Sequence, residues 1–350
     1  MNPIVGGLFG LEDPLGRGEP PPWVGREQHV LLTANARGSI RWLVEHLAVR
    51  TVWVPAYLCH TMIDWIVDRD KRTLFYPVDN RLRAVRGQWL NDILPGDLVL
   101  IVAWFGRRVE MGLGTELKNR GAIVLEDASQ AWFTSGLGEE SDWLVYSPRK
   151  FVGVVDGGVL ISLRGESLVD FHLPEPPSFW WSKLFAACLG RRIFDEVGDT
   201  EGSRQWFEWM READKNAPLE TNSISEFSKR RMEQGLPARD YSRRRESNHE
   251  ILEHGLGEFS LFGKLDLGEV PLGFVSLFPS REVRDAVRHH LIVNKIYPMI
   301  HWPISGVVPD GFSESHYLNS RILTLVCDQR YGEMEMKHTI ALVRDITDAA

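Results

Sequence analysis

Lys150 closes on a Gly-rich turn: it sits in Tyr146-Ser147-Pro148-Arg149-Lys150-Phe151-Val152-Gly153 and is followed by Asp156-Gly157-Gly158. A short way upstream, the apolar stretch Val124-Leu125 runs into the carboxylates of Glu126 and Asp127. A lysine alone carries no information. An aspartate ending one apolar strand, with a lysine on a Gly-rich turn after the next, is the pair a chain needs to hold pyridoxal phosphate. The amine forms a Schiff base with the aldehyde, and the aspartate faces the pyridine nitrogen and keeps it protonated, so that the ring accepts electrons. The plainer alternatives are a solvated lysine and, for Asp127, an N-cap for a helix beginning at Ala128-Ser129-Gln130. The end of a parallel strand is where an α/β sheet presents ligands, which favours the chemical reading.

The phosphate of such a cofactor belongs on backbone N–H groups where a helix begins, because orphan donors and the helix dipole favour an anion there. Asn35, Ala36 and Arg37 occupy such a place, and Arg37 adds positive charge. Ser147 stands three residues before Lys150. The Ser-x-x-Lys spacing alone also fits the serine nucleophile of penicillin-binding proteins, but the later Ser-Asp-Asn and Lys-Thr-Gly elements are missing from the sequence.

The elements that must position these residues are legible in the hydrophobic pattern. Residues 37–48 carry Ile40, Leu43, Val44 and Leu47 at helical spacing, and Val52-Trp53-Val54 is a short buried strand ended by Pro55. A helix follows through Met62, Ile63 and Ile66. Leu98–Val102 and Ala122–Leu125 are apolar runs without alternation, the mark of parallel strands covered on both faces, and residues 157–163 give a further strand. Pro174-Glu175-Pro176-Pro177 breaks the pattern. Beyond it lie polar helices anchored by Trp180, Trp181, Phe185, Trp206 and Trp209, then a strand over 270–277, a helix over 281–293 and a last helix over 332–346. The expected division is an N-terminal arm (1–26) lying across another surface such as a partner subunit, a large cofactor domain (27–173), a helical connection (174–256) and a small C-terminal α/β domain (257–350).

Composition narrows the class. The 350 residues carry a net charge of −8, which argues against a general nucleic-acid binder. Cys59, Cys188 and Cys327 are far apart, with no C-x-x-C pair, so neither a cysteine zinc site nor a disulfide framework is expected and a reducing cytoplasm is. His289-His290 and His301-Trp302 lack metal-ligand spacing, so no metal is expected. The first thirty residues lack a basic start followed by an apolar run, so no signal peptide is expected, and no apolar stretch reaches membrane-spanning length. The basic runs Lys229-Arg230-Arg231 and Arg243-Arg244-Arg245 read first as solvated helix faces, and second as a cluster meeting a pyrophosphate.

The order of these blocks resembles the DegT/DnrJ-type sugar aminotransferase family of fold-type I pyridoxal phosphate enzymes. The resemblance rests on Asn35-Ala36-Arg37, Val54-Pro55-Ala56-Tyr57, Trp104-Phe105-Gly106, Glu126-Asp127-Ala128-Ser129-Gln130-Ala131, the Lys150 block with Asp156-Gly157-Gly158, and residues 323–331. It implies an α/β fold: a large domain with a mostly parallel central sheet flanked by helices, plus a smaller C-terminal α/β domain. It also implies Gln130 near the cofactor's 3-hydroxyl, and Ser147 as phosphate ligand, since relatives place a serine where this chain has Val145. Four residues beyond Pro55, where relatives often carry an aromatic against the ring, stands Cys59 with His60 beside it, and His60 is the better choice on shape. The relatives' partner-subunit asparagine maps to Thr221 or Asn222, and His301-Trp302-Pro303 matches a loop lining the substrate cleft.

The resemblance implies a cytoplasmic homodimer with shared active sites that moves an amino group from a donor, glutamate in most relatives, to a keto sugar carried on a nucleotide. The alternatives are a pyridoxal phosphate enzyme with a non-sugar substrate or a reaction other than transamination, and a catalytically silent binding or regulatory protein.

Overall fold

The structure, a computed structural model, describes residues 4–13, 18–66, 71–198, 204–218 and 220–349. Residues 1–3 and 14–17 of the expected arm lie outside them. In chain order the elements are β1 (Val5–Gly6), β2 (Val30–Thr33), α1 (Ala36–His46), β3 (Thr51–Pro55), α2 (His60–Ile66), β4 (Arg72–Tyr76), β5 (Leu98–Val102), α3 (Leu113–Asn119), β6 (Ile123–Asp127), β7 (Trp143–Tyr146) and β8 (Gly158–Ser162). There follow α4 (Ser178–Val197), α5 (Gln205–Lys215), α6 (Glu226–Glu233), α7 (Ala238–Leu256), β9 (Phe274–Leu277), α8 (Arg281–Val293), β10 (Ile296–Tyr297), α9 (Ser313–Arg321), β11 (Ile322–Leu325) and α10 (Glu333–Thr347).

A seven-stranded sheet in the order β2-β8-β7-β6-β5-β3-β4 forms the centre. β4, β3, β5, β6 and β7 pair in parallel, while β8 runs against both of its neighbours, β7 and β2. This is the mostly parallel α/β sheet that the unalternating apolar runs call for. Every residue of β5 and of β8 is buried, as strands covered on both faces must be. The register sets Val102 opposite Asp127 and Asp127 opposite Val145, so the ends of β5, β6 and β7 finish level. β9 and β11 pair antiparallel in a second, small sheet, against which α7, α8 and α10 bury Leu252, Val287, Leu291, Met336 and Val343.

Three local expectations are corrected. The strand foreseen over 270–277 starts only at Phe274, because Val270 and Leu272 spend their N–H groups on Thr134 Oγ1 (3.0 Å) and Phe105 O (3.0 Å) rather than on a ladder. The described part of the arm does not wait for a partner subunit. Val5–Gly6 pairs with Ile296–Tyr297, Gly6 N donates to Tyr331 Oη (2.8 Å), and Arg191 donates to Gly6 O (2.7 Å). In the basic runs Arg230, Arg243 and Arg244 are exposed, as a solvated face requires, with Arg230 paired to Glu226; Arg231 donates to Glu12 O (3.0 Å), and Arg245 departs from that reading by being fully buried. Among the described residues no helix is long and apolar enough to cross a membrane.

Candidate active site

The candidate site lies at the C-terminal edge of the large sheet, where the connections after β2, β3, β5, β6 and β7 meet. Asp127 is the last residue of β6 and is buried; its Oδ1 accepts the Ser129 N–H at 2.8 Å, which fixes the carboxylate's rotation. After β7 the chain makes one tight turn, 148–150, with Lys150 N donating to Ser147 O (3.2 Å). That turn aims Lys150 back across the ends of the strands. The Lys150 side chain is exposed by area, yet its amine lies within electrostatic reach of Asp127, Cys59, Arg37 and Arg149. This crowding governs its proton affinity: desolvation pushes the amine below the ordinary lysine range, Arg37 and Arg149 push the same way, and Asp127 pulls back.

The start of α1 is laid directly on the Gly-rich turn. Gly157 N donates to Ala34 O at 2.8 Å, and a Cβ on Gly158 would meet Asn35 C at 2.3 Å and Ala36 N at 2.5 Å, so only glycine lets the two backbones touch. Asn35 is the N-cap: its side chain accepts Gly38 N at 2.9 Å. The side chain of Asn35 is therefore engaged within the helix. Arg37, one residue further than Ala36, is the group whose charge reaches Lys150.

Gln130 is buried behind Asp127. Phe105 N donates to its Oε1 at 2.8 Å, which fixes the amide's orientation, and Nε2 is buried with no partner among the described residues. Ser129 Oγ beside it is also buried without one. Cys59 is half-buried, with Sγ 3.1 Å from Thr61 Oγ1, and bears on Lys150; His60, at the first turn of α2, is exposed, and no hydrogen bond, ring contact or charge effect links it to the lysine. Cys59, not His60, is the residue after Pro55 that faces the amine.

The opposite wall is aromatic. Trp302 stands against Tyr57, Trp104 and Phe105 at ring centroids of 6.1, 5.9 and 6.2 Å. Tyr57 Oη donates to His301 O, and His301 Nδ1 lies 2.9 Å from Thr324 Oγ1. Burial, with the nearby charge of Lys150, pushes the His301 imidazole down to about 3. Asn222 is buried within its own chain, its carbonyl accepting Ala34 N (2.9 Å) and its amide donating to Glu175 O (3.0 Å), while Oδ1 has no partner among the described residues. Thr221 Oγ1 donates to Gly38 O (3.1 Å). The pair thus buttresses the start of α1 rather than reaching outward.

The structure brings Lys150, Asp127, Arg37, Cys59 and His301 together. Sequence reasoning gave no role to Arg149, Ser129, Tyr57, Trp104 or Thr324. Arg149 had a signal in its adjacency to Lys150, and Tyr57 and Trp104 lie inside blocks already singled out, but Thr324 had none.

No family model and no curated protein matches the sequence. Solved structures do match. The aminotransferase TlmJ from Streptoalloteichus hindustanus superimposes with a TM-score of 0.64 at 17% identity, over 92% of this chain and 86% of that one. A DegT DnrJ EryC1 StrS aminotransferase from Brucella abortus gives 0.62 at 14% identity, over 94% and 91%. The sugar aminotransferase CalS13 from Micromonospora echinospora gives 0.59 at 14% identity, over 92% and 89%. The chain has their fold. It is the α/β architecture of those aminotransferases, shared at sequence identities of 14–17%.

Proposed function

We propose that the protein is a pyridoxal phosphate-dependent aminotransferase. One observation carries the reading: Lys150 and Asp127 converge at the ends of adjacent parallel strands, beside the start of α1 and Arg37. The residues present fit the cofactor. Two buried polar atoms without partners, Gln130 Nε2 and Ser129 Oγ, flank Asp127, and the Gly157-Gly158 turn seats a helix N-terminus over the lysine.

In this reading Lys150 holds the cofactor covalently, Asp127 faces its ring nitrogen, and Gln130 Nε2 donates toward the 3-oxygen. The N–H groups at Ala36 and Arg37, the Arg37 guanidinium and Ser147 hold the phosphate. Asn35 contributes by capping α1, Asn222 by holding Ala34, and Cys59 lies against the ring. When bound, the cofactor would supply an electron sink for the negative charge left on the amino-bearing carbon when it loses its proton. The chain supplies the rest. Asp127, held by Ser129 N, keeps a positive charge on the ring nitrogen. Lys150, its proton affinity lowered by desolvation and by Arg37 and Arg149, is the base that takes the proton from the amino-bearing carbon of the substrate and returns it to the carbon on the other side of the nitrogen. His301, kept neutral, accepts or donates a hydrogen bond to a substrate hydroxyl without adding a second positive charge beside Lys150, and Trp302 closes the wall.

The acceptor is a keto sugar, carried on a nucleotide, and the donor is glutamate. The likeness to sugar aminotransferases such as CalS13 supports the sugar, and the neutral, aromatic wall around Trp302 suits a polyhydroxylated ring better than a second carboxylate. The working unit is a cytoplasmic homodimer. The deciding experiment is the visible spectrum of the purified protein with pyridoxal phosphate, beside Lys150→Ala, before and after glutamate. A Lys150-dependent band that glutamate bleaches supports the reading. A band indifferent to glutamate points to another donor or another pyridoxal phosphate reaction, and no band at all overturns the enzyme reading.

A further inference from the structure

The residues that follow Lys150 are held from behind by a buried cation far from it in sequence. Arg245, on α7, is fully buried; among the described residues no carboxylate hydrogen-bonds to it, although the charges of Asp328 and Glu12 reach it. Its Nε donates to Gln329 Oε1 at 2.7 Å, its Nη1 to Pro271 O at 3.0 Å and Leu272 O at 3.3 Å, and Nη2 has no hydrogen-bond partner among the described residues. Burying a guanidinium whose hydrogen bonds all go to carbonyl oxygens is an expensive arrangement even with Asp328 and Glu12 nearby, since desolvation still lowers its proton affinity, and an apolar side chain of similar volume would cost less. The position therefore asks for an explanation other than stability.

Two chains of hydrogen bonds leave Arg245, and both end in the cleft. In the first, the cation fixes which end of the Gln329 amide faces it, so that Nε2 must point the other way, where it donates to Phe151 O at 2.5 Å. Phe151 is the residue after Lys150, is itself fully buried, and lies with its ring 4.7 Å beneath the same guanidinium. In the second, Leu272, whose carbonyl Arg245 holds, donates its N–H to Phe105 O (3.0 Å), and Phe105 N in turn donates to Gln130 Oε1 (2.8 Å). One buried side chain thus sets both the loop that carries the lysine and the orientation of the amide behind Asp127. Neither contact is available to Lys150 from its own turn, whose internal bonds stop at Val152 N to Pro148 O.

We propose that Arg245 is a positioning residue of this site, acting on Lys150 through Gln329 and Phe151 and on Gln130 through Leu272 and Phe105. The inference rests on Lys150 being the cofactor lysine. Because the amide's orientation is what matters, Gln329→Glu separates positioning from structure. A glutamate there still accepts from Arg245, and as an ion pair satisfies it better, but has no N–H for Phe151 O. Arg245→Lys keeps the charge and loses the fork that reaches Gln329 and the 271–272 carbonyls together.

The test uses the full chain and pyridoxal phosphate itself as the probe. The cofactor is trapped on the protein with cyanoborohydride over a range of pH, the modified lysine is located by mass spectrometry, and the thermal midpoint of each variant is recorded alongside. Gln329→Glu is expected to melt at or above wild type, yet to be trapped at Lys150 about tenfold more slowly or worse, the size of loss that sub-ångström misplacement brings. Arg245→Lys is expected to be slow as well. If Gln329→Glu and Arg245→Lys are trapped at the wild-type rate and with the wild-type pH dependence, or if any slowing only follows the unfolded fraction, Arg245 is structural and the proposal fails. If wild type is not trapped at Lys150 at all, the assignment of Lys150 fails and takes the proposal with it.

Discussion

His301 Nδ1 lies 2.9 Å from Thr324 Oγ1, so that a strand residue of the small antiparallel sheet holds an imidazole that feels the charge of Lys150. Burial first, and the charge of Lys150 second, push the imidazole down to about 3, well below the ordinary value of about 6.5. A base whose folded value is depressed binds its proton more readily when unfolded, so stability is lost as pH falls below about 6.5 and the loss levels off near 3. The prediction is a comparison. His301→Asn, which keeps a hydrogen-bonding group but cannot titrate, should lose less thermal stability than wild type between pH 7 and pH 4.5, and the wild-type ring should show neutral nitrogen shifts by NMR at pH 5. A charged ring at that pH would remove His301 from the role given to it.

The charges around Lys150 predict opposite shifts in its reactivity. Arg37 and Arg149 depress its proton affinity and Asp127 raises it. Arg37→Met and Arg149→Met should therefore move the pH midpoint for acylation of Lys150 upward in the cofactor-free protein, and Asp127→Asn should move it downward. Peptide mapping after graded labelling reads this without any need for turnover. A midpoint indifferent to all three changes would place the amine away from the cluster.

Gly158→Ala tests the seating of α1. The added Cβ would stand 2.3 Å from Asn35 C and 2.5 Å from Ala36 N, both backbone atoms that cannot swing aside. Overpacking of this kind costs about 1–3 kcal/mol. Urea denaturation should show a loss of that order, and equilibrium dialysis should show weakened retention of inorganic phosphate and of pyridoxal phosphate together. Wild-type phosphate binding in a destabilised Gly158→Ala would mean that the start of α1 is not the anion site.

What could be read in the sequence is what lies close in it. Asp127, Gln130, Lys150 and the Gly157-Gly158 turn fall within about thirty residues, and the unalternating runs of β5 and β6 are the direct imprint of burial on both faces. β4 was hidden because it is an edge strand, with Arg72 exposed and the next three residues only half-buried, so that no apolar run marks it. β7 was hidden by its four-residue length. His60 was preferred to Cys59 on shape, whereas the turn into α2 leaves His60 exposed and Cys59 facing the amine, a matter of which residue follows the strand end rather than of residue type. Arg245, Gln329 and Glu12 could not be assigned from the sequence at all. Their partners lie 26 to 229 positions away, and a buried arginine in a basic run looks like any solvated one until the chain closes around it.

Glu12 is the last consequence of that closure. It lies on the arm, with its N–H on Gly153 O (3.1 Å), and Tyr241 Oη donates to its carboxylate at 3.1 Å. Desolvation outweighs Tyr241, the Gly153 contact and the charges of Arg330 and Arg245, and pushes the carboxyl up to about 7. An acid whose folded value is raised contributes stability that is complete below its unfolded value, about 4.3, and is lost as pH rises through 7. Wild type should therefore weaken between pH 5 and pH 7.5 relative to Glu12→Gln, which stays neutral and keeps the Tyr241 contact. Because Gly153 lies three residues beyond Lys150, limited proteolysis of residues 4–13 over the same range should show the arm releasing at the higher pH in wild type only. Equal protease resistance of the two proteins from pH 5 to pH 8 would show that Glu12 does not titrate there.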